Sequence, residues 1–454
     1  MTWLNGFTPN RFGMEKETAN VRSGYERDYD RIIFSSAFRR LQNKTQVFPL
    51  PEHVFVHNRL THSLEVVSVG RSLGKIVGDA LAERAEIKAD EAAYDFYRNQ
   101  LKNVISTACL AHDLGNPAFG HSGEEAISQH FRDRAHDKTF RERFTPAQWE
   151  DLTHFEGNAN ALRILTRQFN GRLKGGYRLT YPTLASILKY PCESTGRIKK
   201  GPKHRSKYGF FQSDRETFLD IAETLHLKKE GDEPLAYFRH PFVYLVEAAD
   251  DICYSIIDYE DAHRLGILSF AEVKEAFLSL LEKNAEENMP RILSNLDNLK
   301  NDPNEAVAYL RAKAINFLVT ECACVFTDHS EAILKGTFKG ALIDHCEAVQ
   351  EPLKLIEKIS IDRIYNHSSV VKIELAGFKI MSGLIEDLVE AALANEKEKR
   401  HKKILDLMPV QYRYQPDDSD YEKIMCILDY VSGMTDNYAL ELYRNLRGIS
   451  VPEI

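Results

Sequence analysis

The chain has 454 residues, 43% of them hydrophobic and 28% charged, with a formal net charge of −8. A chain this long outgrows one compact core and implies two lobes, and its acidic balance argues against nucleic-acid binding as the main role. Residues 1–13 lack a basic-then-apolar leader, no apolar run approaches the ~20 residues that span a bilayer, and seven scattered Cys form no CxxC pair, so a soluble cytoplasmic protein with reduced thiols is expected.

Taken along the chain, the first chemistry-bearing residue is an isolated His62 in RLTHSLEV. Residues 101–112 place Leu101, Ile105, Ala108 and His112 on one helical face, and Gly115 and Pro117 stop that helix. His112 and Asp113 in CLAHDLGN therefore fall in a last turn beside a loop. A lone His-Asp pair among 16 His carries little, but this position favours work over packing. His62, His112 and Asp113 make a metal-ligand set lacking one member.

The loop from Gly115 to Gly123 gives way to a helix, and Ser122 with Glu125 reads as a capping box at its start. His121 and Glu124 then lie three residues apart and face the same pocket. A His oriented by a carboxylate is an ordinary way to build a base poised near neutral pH. Segment 196–208, GRIKKGPKHRSKY, holds six Lys or Arg with no apolar period, which alone reads as a solvated loop.

Segment 238–264 carries an apolar stripe at helical spacing, while its other face holds Glu247, Asp250, Asp251, Tyr254, Asp258 and Asp261. The bland reading is a solvated acidic face. Like charges one turn apart destabilise a helix by a few tenths of a kcal/mol per pair, so the stripe asks for a cation or a hydrogen-bonding ligand. Asp250 or Asp251 would complete the metal site, and periodicity does not choose between them. Residues 1–265 hold every chemical motif, and 266–454 form a second helical region; the Glu- and Lys-rich stretches at 282–288 and 395–403 read as exposed turns or helix ends.

RLTHSLEV, AHDLGNPAFGHSGEEA, HFEGNANALRIL and EAADDICYSIIDYEDA, in this order, resemble the HD-domain deoxynucleoside triphosphate triphosphohydrolases of the bacterial dGTPase-like branch. RFG, SSAFRRLQNKTQVFPL and DYVSGMTDNYALELYRNL extend the likeness from about residue 7 to the end. The resemblance implies an all-α fold, an HD-domain helical core with an additional helical C-terminal region that contributes to base recognition and oligomer contacts. It implies splitting of a dNTP, dGTP foremost, into deoxynucleoside and intact triphosphate.

Carried over by position, the metal ligands are His62, His112, Asp113 and Asp250, and His121 with Glu124 activates or orients water or relays its proton. Two imidazoles and two carboxylates leave two octahedral positions open, which suits Mn2+ or Mg2+, with Fe, Co or Ni compatible, better than a closed zinc site. The resemblance further points to Arg59, Lys189 and Lys207 for phosphate, to Gln46 for sugar and base, and to Tyr254 and Asp258 for C2′ and the 3′-hydroxyl. Asn158 and Glu156 are expected to line the site, and Lys372 and Lys379 are candidates for reading the base. It also implies a homo-oligomer, often a hexamer, and allows a nucleotide or single-stranded nucleic-acid effector. Two other readings compete: an HD-domain nucleotide phosphatase or phosphodiesterase, and a regulatory nucleic-acid-binding protein with a structural metal site.

Overall fold

The computed structural model describes residues 1–15, 21–48 and 56–450; Pro49 and Leu50, which close the SSAFRRLQNKTQVFPL segment, lie outside them. The fold is all-α, as the sequence implies, with 65% helix and 3% strand. Among the described residues the one sheet is an antiparallel pair, β1 (Lys229–Asp232) and β2 (Leu235–Tyr237). No helix is long and apolar enough to cross a membrane, among the described residues.

The helices that build the site are numbered α1 to α10 in chain order. They are α1 (Arg59–Ala82), α2 (Leu101–Ala111), α3 (His121–Arg132), α4 (Gly157–Thr166), α5 (Tyr181–Ile187), α6 (Val243–Arg264), α7 (Pro303–Asp328), α8 (Ser368–Leu393), α9 (Asp420–Ser432) and α10 (Asp436–Leu446). α1 starts at Asn58, whose side chain accepts from Leu60 and Thr61 N–H while Thr61 accepts from Asn58 N–H. Gly70, Gly74 and Gly78 recur every four residues on α1. A Cβ on them would meet Cys109 Sγ, Lys102 Cα and Tyr97 O at 2.4, 2.9 and 2.4 Å. Their missing side chains let α2 and the turn before it lie directly on α1, which brings His62 and His112 together.

Two apolar clusters organise the molecule. One gathers α1, α2, α6 and α7 with residues up to Val370. The other gathers Ala118, α3 and residues 144–159 with α8, α9 and α10. The cavity described next lies where helices from both clusters meet.

Candidate active site and metal cluster

Three helices converge on the two imidazoles. α1 supplies His62, α2 ends on His112 as its C-cap with Asp113 next, and α6 supplies Asp250 in its second turn. Ligating atoms of His62, His112 and Asp113 all lie within 4.8 Å of one another, a group that could hold a metal ion. Asp250 falls outside that trio, yet its Oδ1 stands 3.1 Å from His62 Nε2 and 3.5 Å from His112 Nε2.

The second layer fixes these groups. His112 Nδ1 sits 2.6 Å from Cys109 O, so Nδ1–H donates and Nε2 keeps its lone pair. That Nε2 is buried and without a hydrogen-bond partner among the described residues. Asp113 accepts from Arg59 at 2.8 Å and from Asn116 Nδ2 at 2.5 Å. Burial would lift both carboxyls, but Arg59 and the imidazoles outweigh it, holding Asp113 low and Asp250 well below the usual carboxylate range. Burial would also lower His112, and Asp113 and Asp250 instead push it up to about 9. A field that favours a proton on a buried nitrogen also favours a cation there. An orphaned imidazole nitrogen between two ionised carboxylates thus fits a divalent ion.

A cavity of about 430 Å³ opens beside the cluster. Its walls include His112, Asp113, Asp250, His121 and Glu124, and also Gln46, Arg59, Asn158, Lys189, Lys207 and Tyr254. His121 Nδ1 lies 2.8 Å from Glu124 Oε2, and Glu124 Oε1 accepts from Gly157 N–H at 2.8 Å. The His121 ring is 85% exposed into the mouth. The hydrogen bond and charge of Glu124 raise its pKa.

α3 does not begin as the sequence suggests. Its N-cap is Gly120 at φ 56°, with no side-chain cap, and the helix starts at His121 itself. The Ser122–Glu125 capping box is therefore corrected: Glu125 pairs with Arg132 instead. A Cβ at residue 120 would stand 2.8 Å from Arg59 Nη2, so glycine serves both the left-handed backbone and the approach of the guanidinium.

The acidic face of α6 is not solvated. Glu247, Asp258 and Asp261 are each at most 4% exposed, and each is met by a donor: Arg239 at 2.9 Å, Tyr365 OH at 2.9 Å and His57 Nδ1 at 2.7 Å. The basic segment is likewise engaged. Lys207 pairs with Glu156 at 3.2 Å, and Lys203 and Lys189 approach Glu247 at 3.4 and 3.3 Å. Glu156 also accepts from Asn158 Nδ2 at 2.6 Å.

Asp258 lies behind the cavity wall, not on it. Tyr365 stacks on Tyr254 with centroids 5.4 Å apart and holds the Asp258 carboxylate, which burial pushes up to about 7. Gln46 lines the cavity, and its Oε1 is a buried acceptor with no donor among the described residues. Lys372 and Lys379 are exposed and do not line the cavity. Sequence reading missed Phe119, Tyr365, Val370, Ile373 and Glu374, which form its far wall. No local signal marks them, because Phe119, Val370, Ile373 and Glu374 meet through the packing of α8 on α3, and Tyr365 reaches the site through Tyr254 and Asp258 of α6.

Comparison with known proteins gives two family matches: an HD domain over residues 59–181 and a phosphohydrolase-associated domain over residues 343–445. The chain is 40% identical to a deoxyguanosinetriphosphate triphosphohydrolase-like protein of Synechocystis sp., across 99% of this chain and 100% of that one. It is 37% identical to a protein of the same description from Pseudomonas aeruginosa, covering 100% of both. A deoxyguanosinetriphosphate triphosphohydrolase of Salmonella schwarzengrund is 30% identical over 94% of each chain.

Proposed function

We propose, from the premise that the chain belongs to the HD-domain deoxyguanosinetriphosphate triphosphohydrolase-like family, that it hydrolyses a dNTP, dGTP foremost, to deoxynucleoside and intact triphosphate. The observation that carries this reading is one cavity, beside the His-His-Asp cluster, lined by His112 and Asp113 of that cluster together with the His121–Glu124 pair and two lysines.

In this reading His62, His112, Asp113 and Asp250 hold a divalent ion, Mn2+ or Mg2+ by donor chemistry and resemblance. Such an ion supplies Lewis-acid polarisation of a phosphoryl oxygen and a more acidic water. Arg59, Lys189 and Lys207 receive the triphosphate, each already oriented by a carboxylate. Hydrolysis joins water oxygen to the α-phosphorus and breaks its bond to O5′, so one proton leaves the water and one must reach O5′. His121, whose protonated form is favoured by the hydrogen bond and charge of Glu124, is assigned to that relay.

The sugar is assigned to the edge formed by Gln46, Tyr254 and Asp258, with Tyr365 between that carboxylate and the cavity. Glu374 supports a guanine preference. A carboxylate accepts from two parallel N–H groups at once, and the guanine edge offers such a pair. Asn158 stands beside Glu156 near the phosphate end. The wall made by Tyr365, Val370, Ile373 and Glu374 supports a C-terminal region, 266–454, that contributes to base recognition. A homo-oligomer, a nucleotide or single-stranded nucleic-acid effector and a cytoplasmic location rest on the resemblance and composition. The test is incubation with each dNTP and rNTP under Mn2+ and Mg2+, with chromatography of both products. Intact triphosphate with deoxyguanosine supports the reading; orthophosphate or a nucleoside monophosphate overturns it in favour of a phosphatase or phosphodiesterase.

A further inference from the structure

Two loops, residues 44–46 and 115–120, frame the cavity, and both are tied to one turn near the C-terminus. The turn joins α9 to α10 and carries Ser432 and Asp436. Asp436 Oδ2 accepts from Thr45 N–H at 2.8 Å and from Thr45 Oγ1–H at 2.6 Å, while its Oδ1 accepts from Phe119 N–H at 2.9 Å. Lys44 Nζ donates to Asn116 O at 2.5 Å and to Ser432 O at 2.8 Å. Asn160 Nδ2 donates to Gly115 O at 2.7 Å and to Ser432 Oγ at 3.1 Å. Asp436, Lys44 and Asn160 are at most 3% exposed, so water does not substitute for these bonds.

The backbone they hold is unusual. Phe119 has φ 60° and Gly120 has φ 56°, two successive left-handed residues immediately before His121. A bulky side chain rarely adopts that conformation without being over-determined by its surroundings. Here Phe119 is fixed from two sides. Its ring sits against Gly377 of α8, where a Cβ would come within 2.5 Å, and its N–H is taken by Asp436. Thr45, on the other oxygen, precedes Gln46. Three donors meet the two oxygens of one carboxyl group. An amide would turn its own NH2 toward one of them.

We propose that Asp436 is a positioning residue for the reaction assigned above, a proposal that rests on that reading. Through Phe119 it places His121, and through Thr45 it places Gln46, so one carboxylate sets the proton relay and the sugar contact in common register. It touches neither the cavity nor the metal cluster.

The test compares wild type, Asp436→Asn and Thr435→Ala in full-length protein. Thr435 is the N-cap of α10, accepting from Tyr438 N–H, so its loss weakens the helix while leaving the carboxylate in place. Four quantities are measured: dGTP kinetics, Mn2+ stoichiometry, thermal midpoint, and amide exchange by mass spectrometry over residues 114–121. Asp436→Asn is expected to lower kcat roughly 10- to 100-fold, the scale of a small misplacement, and to raise KM. It should keep full Mn2+ and exchange faster at 117–121. Thr435→Ala is expected to lower the thermal midpoint with kcat unchanged. The proposal is overturned if Asp436→Asn keeps kcat and KM within twofold of wild type, whatever its exchange does. It is equally overturned if kcat falls in both variants in step with their thermal midpoints. If wild type itself leaves dGTP intact, the proposed function fails separately, and unchanged exchange at 117–121 in Asp436→Asn then overturns the positioning role on its own.

Discussion

The two ends of the cavity are built by different means. At the metal end, four candidate ligands sit on or immediately after helices α1, α2 and α6, which share one apolar core. At the far end, the walls are a left-handed turn, one face of α8 and the stacked tyrosines, held by side-chain hydrogen bonds and by the second core. Helix packing places the first end whether or not its polar groups are intact. The second depends on specific polar bonds as well as on packing. Polar substitutions at the metal end should therefore remove chemistry and leave structure, whereas at the far end they should shift geometry and selectivity.

The largest effect is expected at the metal end. His112→Ala or Asp113→Ala should abolish turnover and lower metal occupancy by elemental analysis, with far-UV dichroism near that of wild type. Full activity in either variant after chelation and metal re-addition would remove the site from this location.

Next in size is the His121–Glu124 pair, which lies between the two ends. His121→Ala should keep its metal and lose roughly 10²- to 10⁴-fold in kcat, the usual worth of a positioned acid or base. Glu124→Ala should lose a similar factor and the double variant little more, since the two act as one unit; additive losses would separate them. The pH profile gives a sharper reading. Glu124 raises His121, so the protonated imidazole persists to higher pH than usual and activity falls above its pKa. Glu124→Gln removes that support and should move the alkaline limb of kcat/KM to lower pH. An unmoved limb would take the proton relay away from His121.

At the far end the effects are smaller and concern choice of substrate. Asp258 reaches the cavity through the Tyr365 hydroxyl, so a lost 3′-hydroxyl contact is worth an ordinary hydrogen bond, about 0.5–1.5 kcal/mol, and a 2′,3′-dideoxy substrate should fall roughly 2- to 13-fold in kcat/KM. Asp258→Asn should narrow that gap, and Tyr254→Ala should relax rejection of GTP. Equal cleavage of GTP and dGTP by wild type would reassign this face of α6 to structure.

The smallest effect on rate is a stability effect outside the cavity. His57 lies between Asp261 at 2.7 Å and Glu65 at 2.9 Å; burial would lower its pKa, but the two carboxylates outweigh it and raise it from 6.5 to about 10. A raised pKa means this contribution is complete below pH 6.5 and disappears as pH rises through about 10. Denaturant unfolding should show a loss of about 1.5–3 kcal/mol across that window, the worth of charged hydrogen bonds. His57→Gln should flatten the curve; an identical slope in the variant would assign the loss to other groups.

The metal end was legible because its residues announce themselves locally. Helical spacing put His112 at a helix end, and a His followed by Asp is a compact ligand pair. The choice of Asp250 over Asp251 needed the family resemblance, since both sit on α6 one residue apart. In the structure Asp250 stands near both imidazoles and Asp251 near Lys203. The far end was hidden for the opposite reason. Asp436 meets Phe119 across 317 positions and Thr45 across 391, and no window of local periodicity spans such distances. The start of α3 was misread because Ser122 and Glu125 match a capping pattern, while the backbone at Gly120 already turns the chain into the helix. The donors that meet the acidic face of α6 were not legible because they lie outside the helix: Arg239 just before it, and His57 and the Tyr365 hydroxyl 204 and 107 positions away.

The packing of α3 against α8 carries a consequence for synthesis. The last residue of α3 is Arg132, and the buried stretch of α8 that covers it begins at Gly377, so about 245 residues separate the two partners. At roughly 5–20 residues per second, α3 leaves the ribosome about 12–50 s before its cover. During that interval α6 also emerges, so the nascent chain can pack α1, α2 and α6 and assemble all four candidate ligands, while the helix bearing His121 still lacks its α8 cover. Competence to bind metal would thus precede catalytic competence on each newly made chain.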